Sequence, residues 1–176
     1  MSISHADLQN ASPWVRRFAS QIPQGGMVLD LACGGGRHAR LLADLGYSVL
    51  AVDQDISAIK TLQNPRISSR ALDLETDQWP LELESFSGIV VTNYLFRPHL
   101  DRLPEMLVSG GVLIYETFAQ GNADFGKPSN PNFLLKTGEL LALAARHSLK
   151  VLAYEDIYVG EPKPAMVQRL CALKAG

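Results

Sequence analysis

The chain has 176 residues, 47% hydrophobic and 19% charged, with a formal net charge of −2. This size and balance suit one globular domain spanning residues 1–176 with a single core. No apolar run approaches the roughly 20 residues of a membrane-spanning helix, and no Lys/Arg cluster forms the basic stripe typical of a duplex-binding protein; the strongest basic pair is Arg16-Arg17. Nucleic acid is therefore a weak candidate partner and a membrane is not expected.

The start, Met1-Ser2-Ile3-Ser4-His5, has neither a basic opening nor an apolar signal core. Two cysteines, Cys33 and Cys171, do not make a disulfide framework and read as small buried residues. The expectation is a cytoplasmic protein without a structural metal. Residues up to Asn10 are polar and expected to be loosely ordered.

Ser12-Pro13 offers an N-cap and a first-turn proline, and Trp14, Val15, Phe18 and Ile22 follow at helical spacing until Pro23-Gln24-Gly25-Gly26. Trp14 and Phe18 would either cover a cleft or pack on the sheet. Met27–Leu31 reads as a strand, followed by a glycine turn, a helix through Ala39, Leu41, Leu42 and Leu45 closed by Gly46, and a second strand from Ser48 ending in Asp53. A short helix over Ile56–Leu62, a third strand over Ser68–Leu72 and a fourth over Phe86–Thr92 come next. Leu100–Leu107 looks helical, and Gly110-Gly111 turns into a fifth strand, Val112–Thr117. Gln120–Asn132, rich in Gly, Asn and Pro, is a long connection. Thr137 is a candidate cap for a helix over Gly138–His147. Lys150–Tyr158 and Met166–Leu173 are joined by a turn too short for a crossover helix, so they should pair antiparallel. Strands alternating with helices predict an α/β fold, a Rossmann-like three-layer sandwich. Its seven-stranded sheet should be mostly parallel, with a C-terminal antiparallel hairpin.

Ligands of such sheets bind beyond the carboxyl ends of the strands, where the strand order reverses. The first turn there is Asp30-Leu31-Ala32-Cys33-Gly34-Gly35-Gly36-Arg37-His38-Ala39. Gly34 and Gly36 can adopt positive φ and admit a ligand against the backbone. Asp53 is placed to accept from ribose hydroxyls. Gly34, Gly36 and Ala39 also fit the dinucleotide pattern G-x-G-x-x-A, which keeps a nicotinamide-dependent oxidoreductase or sensor as an alternative. Asp30 opposes it: a carboxylate beside a pyrophosphate is unfavourable, whereas the sulfonium and ammonium of S-adenosylmethionine favour one.

The run Val28-Leu29-Asp30-Leu31-Ala32-Cys33-Gly34-Gly35-Gly36 resembles the first motif of class I S-adenosylmethionine-dependent methyltransferases, with Ala32 where the family usually has its first glycine. The order of elements matches that family over nearly the whole chain, and the compact size is similar to small bacterial members of the tellurite-resistance type. The resemblance implies a cofactor set of Asp30, Ala32, Cys33, Gly34, Gly36, Asp53, Gln54, Asp73, Leu74 and Asn93. In that set Asp53 takes the ribose hydroxyls, Gln54 lies near the adenine, Asp73 accepts from its amino group and the Leu74 amide meets a ring nitrogen. Asn93 and Tyr94 would lie beside the methionine moiety and the methyl.

Methyl transfer is an in-line displacement from a good leaving group, so positioning and water exclusion can supply much of the rate. The candidate catalytic residues are Tyr94, which could orient an acceptor through its hydroxyl, and His99, a candidate base. Asn93 is followed by Tyr-Leu-Phe, unlike the Pro-Pro-Tyr of some amino-methylating members, which makes a nucleobase or glutamine amide a weaker acceptor. Candidate substrate residues are Arg97, Glu116 and the aromatics Phe125 and Phe133 of the 120–133 loop, whose length suits a lid or wall. A small-molecule acceptor is the leading expectation and an RNA or protein acceptor the alternative.

Overall fold

Ser12 caps the first helix of this computed structural model, its Oγ accepting from the Trp14 amide at 3.1 Å. The structure describes residues 10–81 and 84–176. The polar N-terminal stretch, Asn10 apart, lies outside them. Helix α1 (Pro13–Phe18) relaxes into a 3₁₀ turn over Ala19–Gln21, so the expected helix is split before Ile22.

The sheet has seven strands, β1 (Met27–Leu31), β2 (Ser48–Asp53), β3 (Ile67–Ala71), β4 (Phe86–Thr92), β5 (Leu107–Phe118), β6 (Leu149–Val159) and β7 (Ala165–Lys174). Their order is β3-β2-β1-β4-β5-β7-β6. The first five run parallel; β7 pairs antiparallel with both β5 and β6. The order reverses between β1 and β4, which makes the carboxyl end of that pair the place for a ligand. Helices α2 (Arg37–Asp44), α3 (Ser57–Lys60), α4 (Arg102–Glu105) and α5 (Glu139–Arg146) complete the fold.

Alternation along the central strands divides the core between the two faces. Leu29, Leu31, Ile89, Val91, Leu113 and Tyr115 pack on one face with Leu140 and Leu143 of α5. Val28, Val90, Val112 and Ile114 pack on the other with Trp14, Phe18, Ala39 and Leu42 of α1 and α2. A strand buried on both faces needs this continuous apolar run, and β4 is buried at every position. Trp14 and Phe18 therefore pack on the sheet, with Trp14 Nε1 donating to the Leu170 carbonyl at 3.2 Å.

Three local expectations differ from the structure. Leu107 to Gly111 belongs to β5 and not to a helix and turn, with the pairing to β4 irregular between Phe86 and Gly88. Helix α4 keeps only Arg102–Glu105, because Leu107 is already taken by the β4 pairing. Gly138, in the left-handed region, precedes α5 with no side-chain cap; Glu139 instead turns back to accept from the Lys136 amide at 2.7 Å.

Candidate active site

The glycine turn leaves β1 through two left-handed glycines, Gly34 (φ 51) and Gly36 (φ 78). A Cβ on Gly36 would lie 2.8 Å from the Ile59 side chain, so only glycine lets α2 start against α3. Ala32 is itself left-handed, at φ 54, a conformation that costs an alanine about 1 kcal/mol relative to glycine. The turn is bound to its neighbours through the Cys33 amide, which donates to the Val52 carbonyl at 3.0 Å, and the Gly34 amide, which donates to Asp53 Oδ2 at 2.9 Å.

Asp30 lies behind the turn. It is 1% exposed, and Oδ2 accepts from the Ala39 amide in the first turn of α2 at 2.9 Å. Burial pushes its carboxyl up to about 7; the Ala39 hydrogen bond and Arg37 oppose that shift, and Asp53 adds to it. Cys33 is also buried, and desolvation together with Asp30 and Asp53 pushes its thiol up, away from reactivity.

In front of the turn, a cavity of about 170 Å³ opens at the carboxyl ends of β1 to β4. Ala32, Asp53, Gln54, Leu72, Asp73 and Leu74 line it, together with Glu75 and Tyr94. Asp53 accepts from Gly34 and from the Asp55 amide at 3.2 Å, and Asp73 from the Glu75 amide at 2.9 Å. The Tyr94 hydroxyl is buried and, among the described residues, without a hydrogen-bond partner. Burial and the carboxylates Glu75, Asp73 and Asp53 push its ionisation up, so the hydroxyl of this cavity-lining residue stays neutral.

A second cavity of about 530 Å³ lies on the other side of the β4 end. Asn93, left-handed at φ 54, borders it beside Arg37 and Glu116. Its roof is the segment Asn10–Pro13; its far wall is Lys127 with the β6–β7 turn, Glu161–Ala165. The roof is held by His38, which no sequence pattern had singled out. His38 is 1% exposed; its Nε2 accepts from the Ser12 amide at 3.1 Å, which leaves the proton on Nδ1 toward Thr92 Oγ1 at 3.3 Å. Burial, with Arg37 and Arg16 nearby, pushes the imidazole down to about 3, so it stays neutral.

The other candidate residues are dispersed. Glu116 borders the second cavity but is held by Arg169 Nε, while Arg169 Nη1 reaches Glu155 at 2.9 Å. Arg97 is fully engaged outside both cavities, donating to both Glu139 oxygens at 2.7 and 2.9 Å and to the Asn132 and Leu134 carbonyls. His99 is buried against Trp79 and Phe96, with Nε2 2.6 Å from the Thr76 carbonyl oxygen. Phe125 is 40% exposed and packs on Tyr158, and Phe133 is 47% exposed; neither borders either of these two cavities. Glu75, Arg37, Arg169 and the lysines of the far wall also line these cavities and were not among the candidates read from the sequence. Arg37 alone carried a signal, its place directly after the glycine turn.

Residues 28–111 match a family model described as a methyltransferase domain. YqeM of Bacillus subtilis (strain 168) is 30% identical over 86 residues, 49% of this chain and 33% of that protein. TehB from Haemophilus influenzae superposes with a TM-score of 0.71 at 22% identity, over 99% of this chain and 63% of that one. The 1,6-didemethyltoxoflavin-N1-methyltransferase of Burkholderia thailandensis, solved with 1,6-didemethyltoxoflavin and S-adenosylhomocysteine bound, superposes at 0.69 with 17% identity, over 93% of this chain and 77% of that one. The chain has the fold of S-adenosylmethionine-dependent methyltransferases, and residues 28–111, just under half of it, match the methyltransferase-domain model. It spans about a third of the length of YqeM and under two thirds of the TehB chain. Among the described residues no helix is long and apolar enough to cross a membrane.

Proposed function

We propose that the protein binds S-adenosylmethionine in the smaller cavity and transfers its methyl group to a small molecule held in the larger one. The carrying observation is the chemistry of the smaller cavity. Three carboxylates, Asp53, Asp73 and Glu75, border it, and the glycine-turn amide of Gly34 already donates to one of them. A pyrophosphate would need that amide and would meet those charges, so a dinucleotide fits poorly. A ligand with a ribose diol, an exocyclic amine and a net positive sulfonium fits each group. Asp53 accepts from the diol, Asp73 from the amine, and the orphaned Tyr94 hydroxyl gains an acceptor.

The bound cofactor supplies an electrophilic methyl on a good leaving group. This chain's residues then have to place the acceptor and exclude water. Tyr94 and Asn93 are consecutive and border different cavities, so the end of β4 is where cofactor and acceptor meet. The Tyr115 hydroxyl steadies this point by donating to the Tyr94 carbonyl at 2.7 Å. Glu116, held by Arg169, borders the acceptor side as a fixed carboxylate. A small acceptor suits a cavity of about 530 Å³. The Burkholderia enzyme of the same fold also works on a small molecule.

Calorimetric titration with S-adenosylmethionine, S-adenosylhomocysteine and NAD(H) tests the reading. Micromolar binding of the first two is expected, and Asp53→Ala should weaken both at least about tenfold through loss of charge-assisted hydrogen bonds. Tight NAD(H) binding without S-adenosylhomocysteine binding would overturn it.

A further inference from the structure

Resting on the methyltransferase reading, we propose that the acceptor is a small organic anion. Its charged group lies on Lys127 and Lys163, and its apolar body lies along Phe118, Pro164 and Val167. The chain as a whole is slightly acidic, yet five cationic side chains border the larger cavity against two carboxylates. Arg169 is neutralised by Glu116 and Glu155. The other four cations, Arg16, Arg37, Lys127 and Lys163, form no ion pair within the described residues. Unpaired charge of one sign in a concave wall raises the local concentration of the opposite sign.

The four cations come from α1, the start of α2, the 120–133 loop and the β6–β7 turn, so the tertiary fold gathers them. Two of them, Lys127 and Lys163, line the same cavity from different elements. At Gly126, with φ +144, a Cβ would lie 3.4 Å from the Lys163 ammonium. Lys163 from the hairpin turn thus lies within ordinary contact distance of the loop residue that precedes Lys127. Glu161, in the same turn, offsets part of this charge and leaves a net positive wall.

The cations are distributed with a direction. Asn93, Arg37 and Glu116 border the end next to β4, where the methyl would arrive; Lys127 and Lys163 stand on the far wall. Between them the lining includes apolar Phe118, Pro164 and Val167. An inorganic oxyanion would leave that surface unused. An organic acid or phosphate ester spans it, with its accepting atom toward Asn93 and its anion on the lysines.

The test uses the full chain loaded with S-adenosylhomocysteine and calorimetric titration with matched pairs, benzoate against benzamide and phenyl phosphate against phenol. The wild type should bind each anion at least about tenfold more tightly than its neutral partner, equivalent to 1.4 kcal/mol. A double variant, Lys127→Gln with Lys163→Gln, should abolish that gap while leaving S-adenosylhomocysteine affinity unchanged. Both lysines are exposed, so the variant should fold. Equal binding of neutral partners, a gap that survives the double variant, or no anion binding at millimolar concentration would overturn the proposal. Failure to bind S-adenosylhomocysteine would instead overturn the methyltransferase reading beneath it.

Discussion

On the β1–β3 side of the cleft the wall is shaped by backbone: two left-handed glycines, a strained alanine, and carboxylates that accept from main-chain amides two to nineteen residues away in sequence. On the β5–β7 side it is shaped by long side chains that meet across the fold, Arg169 with both Glu116 and Glu155. The first kind of wall is local and rigid. The second depends on charges brought together over 14 to 53 residues of chain. Perturbing the first should therefore change cofactor binding at little cost in stability, and perturbing the second should do the reverse.

The largest expected effect breaks the side-chain wall. Arg169→Met removes the partner of Glu116, whose side chain is 12% exposed, and leaves a largely buried carboxylate uncompensated. Breaking a buried pair from one side costs about 3–5 kcal/mol; Arg37 is close enough to Glu116 to recover part of that, so a loss of about 2–4 kcal/mol is expected in urea denaturation. S-adenosylhomocysteine affinity should stay within about twofold, because the glycine turn is untouched. A collapse of cofactor binding with stability preserved would reverse the assignment of the two walls.

Gly34→Val attacks the other wall. A β-branched residue is poorly tolerated at φ 51, yet a Cβ at this position meets nothing within 4 Å, so the strain stays local. Affinity for S-adenosylhomocysteine should fall about 100-fold, or about 2.7 kcal/mol, with Tm reduced by only a few degrees. Retained affinity would show that the cofactor does not approach this turn.

The same division explains what could be read from the sequence. Strands β1, β2 and β4, the glycine turn and Asp53 were legible because each is specified within a few residues, by an apolar run ending in Gly or Asp. The antiparallel pairing of β6 and β7 followed from the shortness of their turn. Arg97 and Glu116 drew attention as charges near strand ends, but their partners, Glu139 and Arg169, are remote in sequence and no local pattern announces a pairing. His38 was invisible for another reason. In α2 it occupies a buried position that an apolar residue would also satisfy, and only the approach of Ser12 and Thr92 makes an imidazole useful there. The exposed Phe125 and Phe133 are the converse case: an aromatic in a long loop draws the eye, while the loop is pinned by Arg97 and Asn122, whose Nδ2 donates to the Pro128 carbonyl.

Asp30 belongs to the backbone wall but is buried like a member of the other, and pH separates its two contributions. Its carboxyl is raised to about 7 in the folded chain from 3.8 in the unfolded one. Between those values the unfolded state has released the proton and the folded state has kept it, so the native state loses stability as pH rises from about 4 to about 7. Asp30→Asn lacks this proton. Relative to it the wild type should lose on the order of 1–3 kcal/mol across that window in denaturant titrations at pH 4.5 and 7.5. If ionised Asp30 also acts on the sulfonium, the ratio of S-adenosylmethionine to S-adenosylhomocysteine affinity should rise through pH 7 in the wild type and stay flat in the variant. Parallel stability curves for the two proteins would show that Asp30 is ionised throughout.

The smallest effect tests the one place where the backbone wall departs from the glycine-rich pattern of its fold class. Ala32 holds a left-handed conformation at φ 54 although it has a Cβ, and it borders the smaller cavity. Ala32→Gly relieves that strain and adds conformational freedom to the unfolded chain, two effects of opposite sign. At positive φ the strain outweighs the entropy, and a gain of about 0.5–1 kcal/mol in stability is expected from urea denaturation. Cofactor affinity should change little, because Gly34 and Asp53 keep their hydrogen bond. A loss of stability would mean that the Ala32 methyl is worth more in packing than its conformation costs. The alanine would then be a structural member of this wall, contributing contact where the remaining glycines contribute only room.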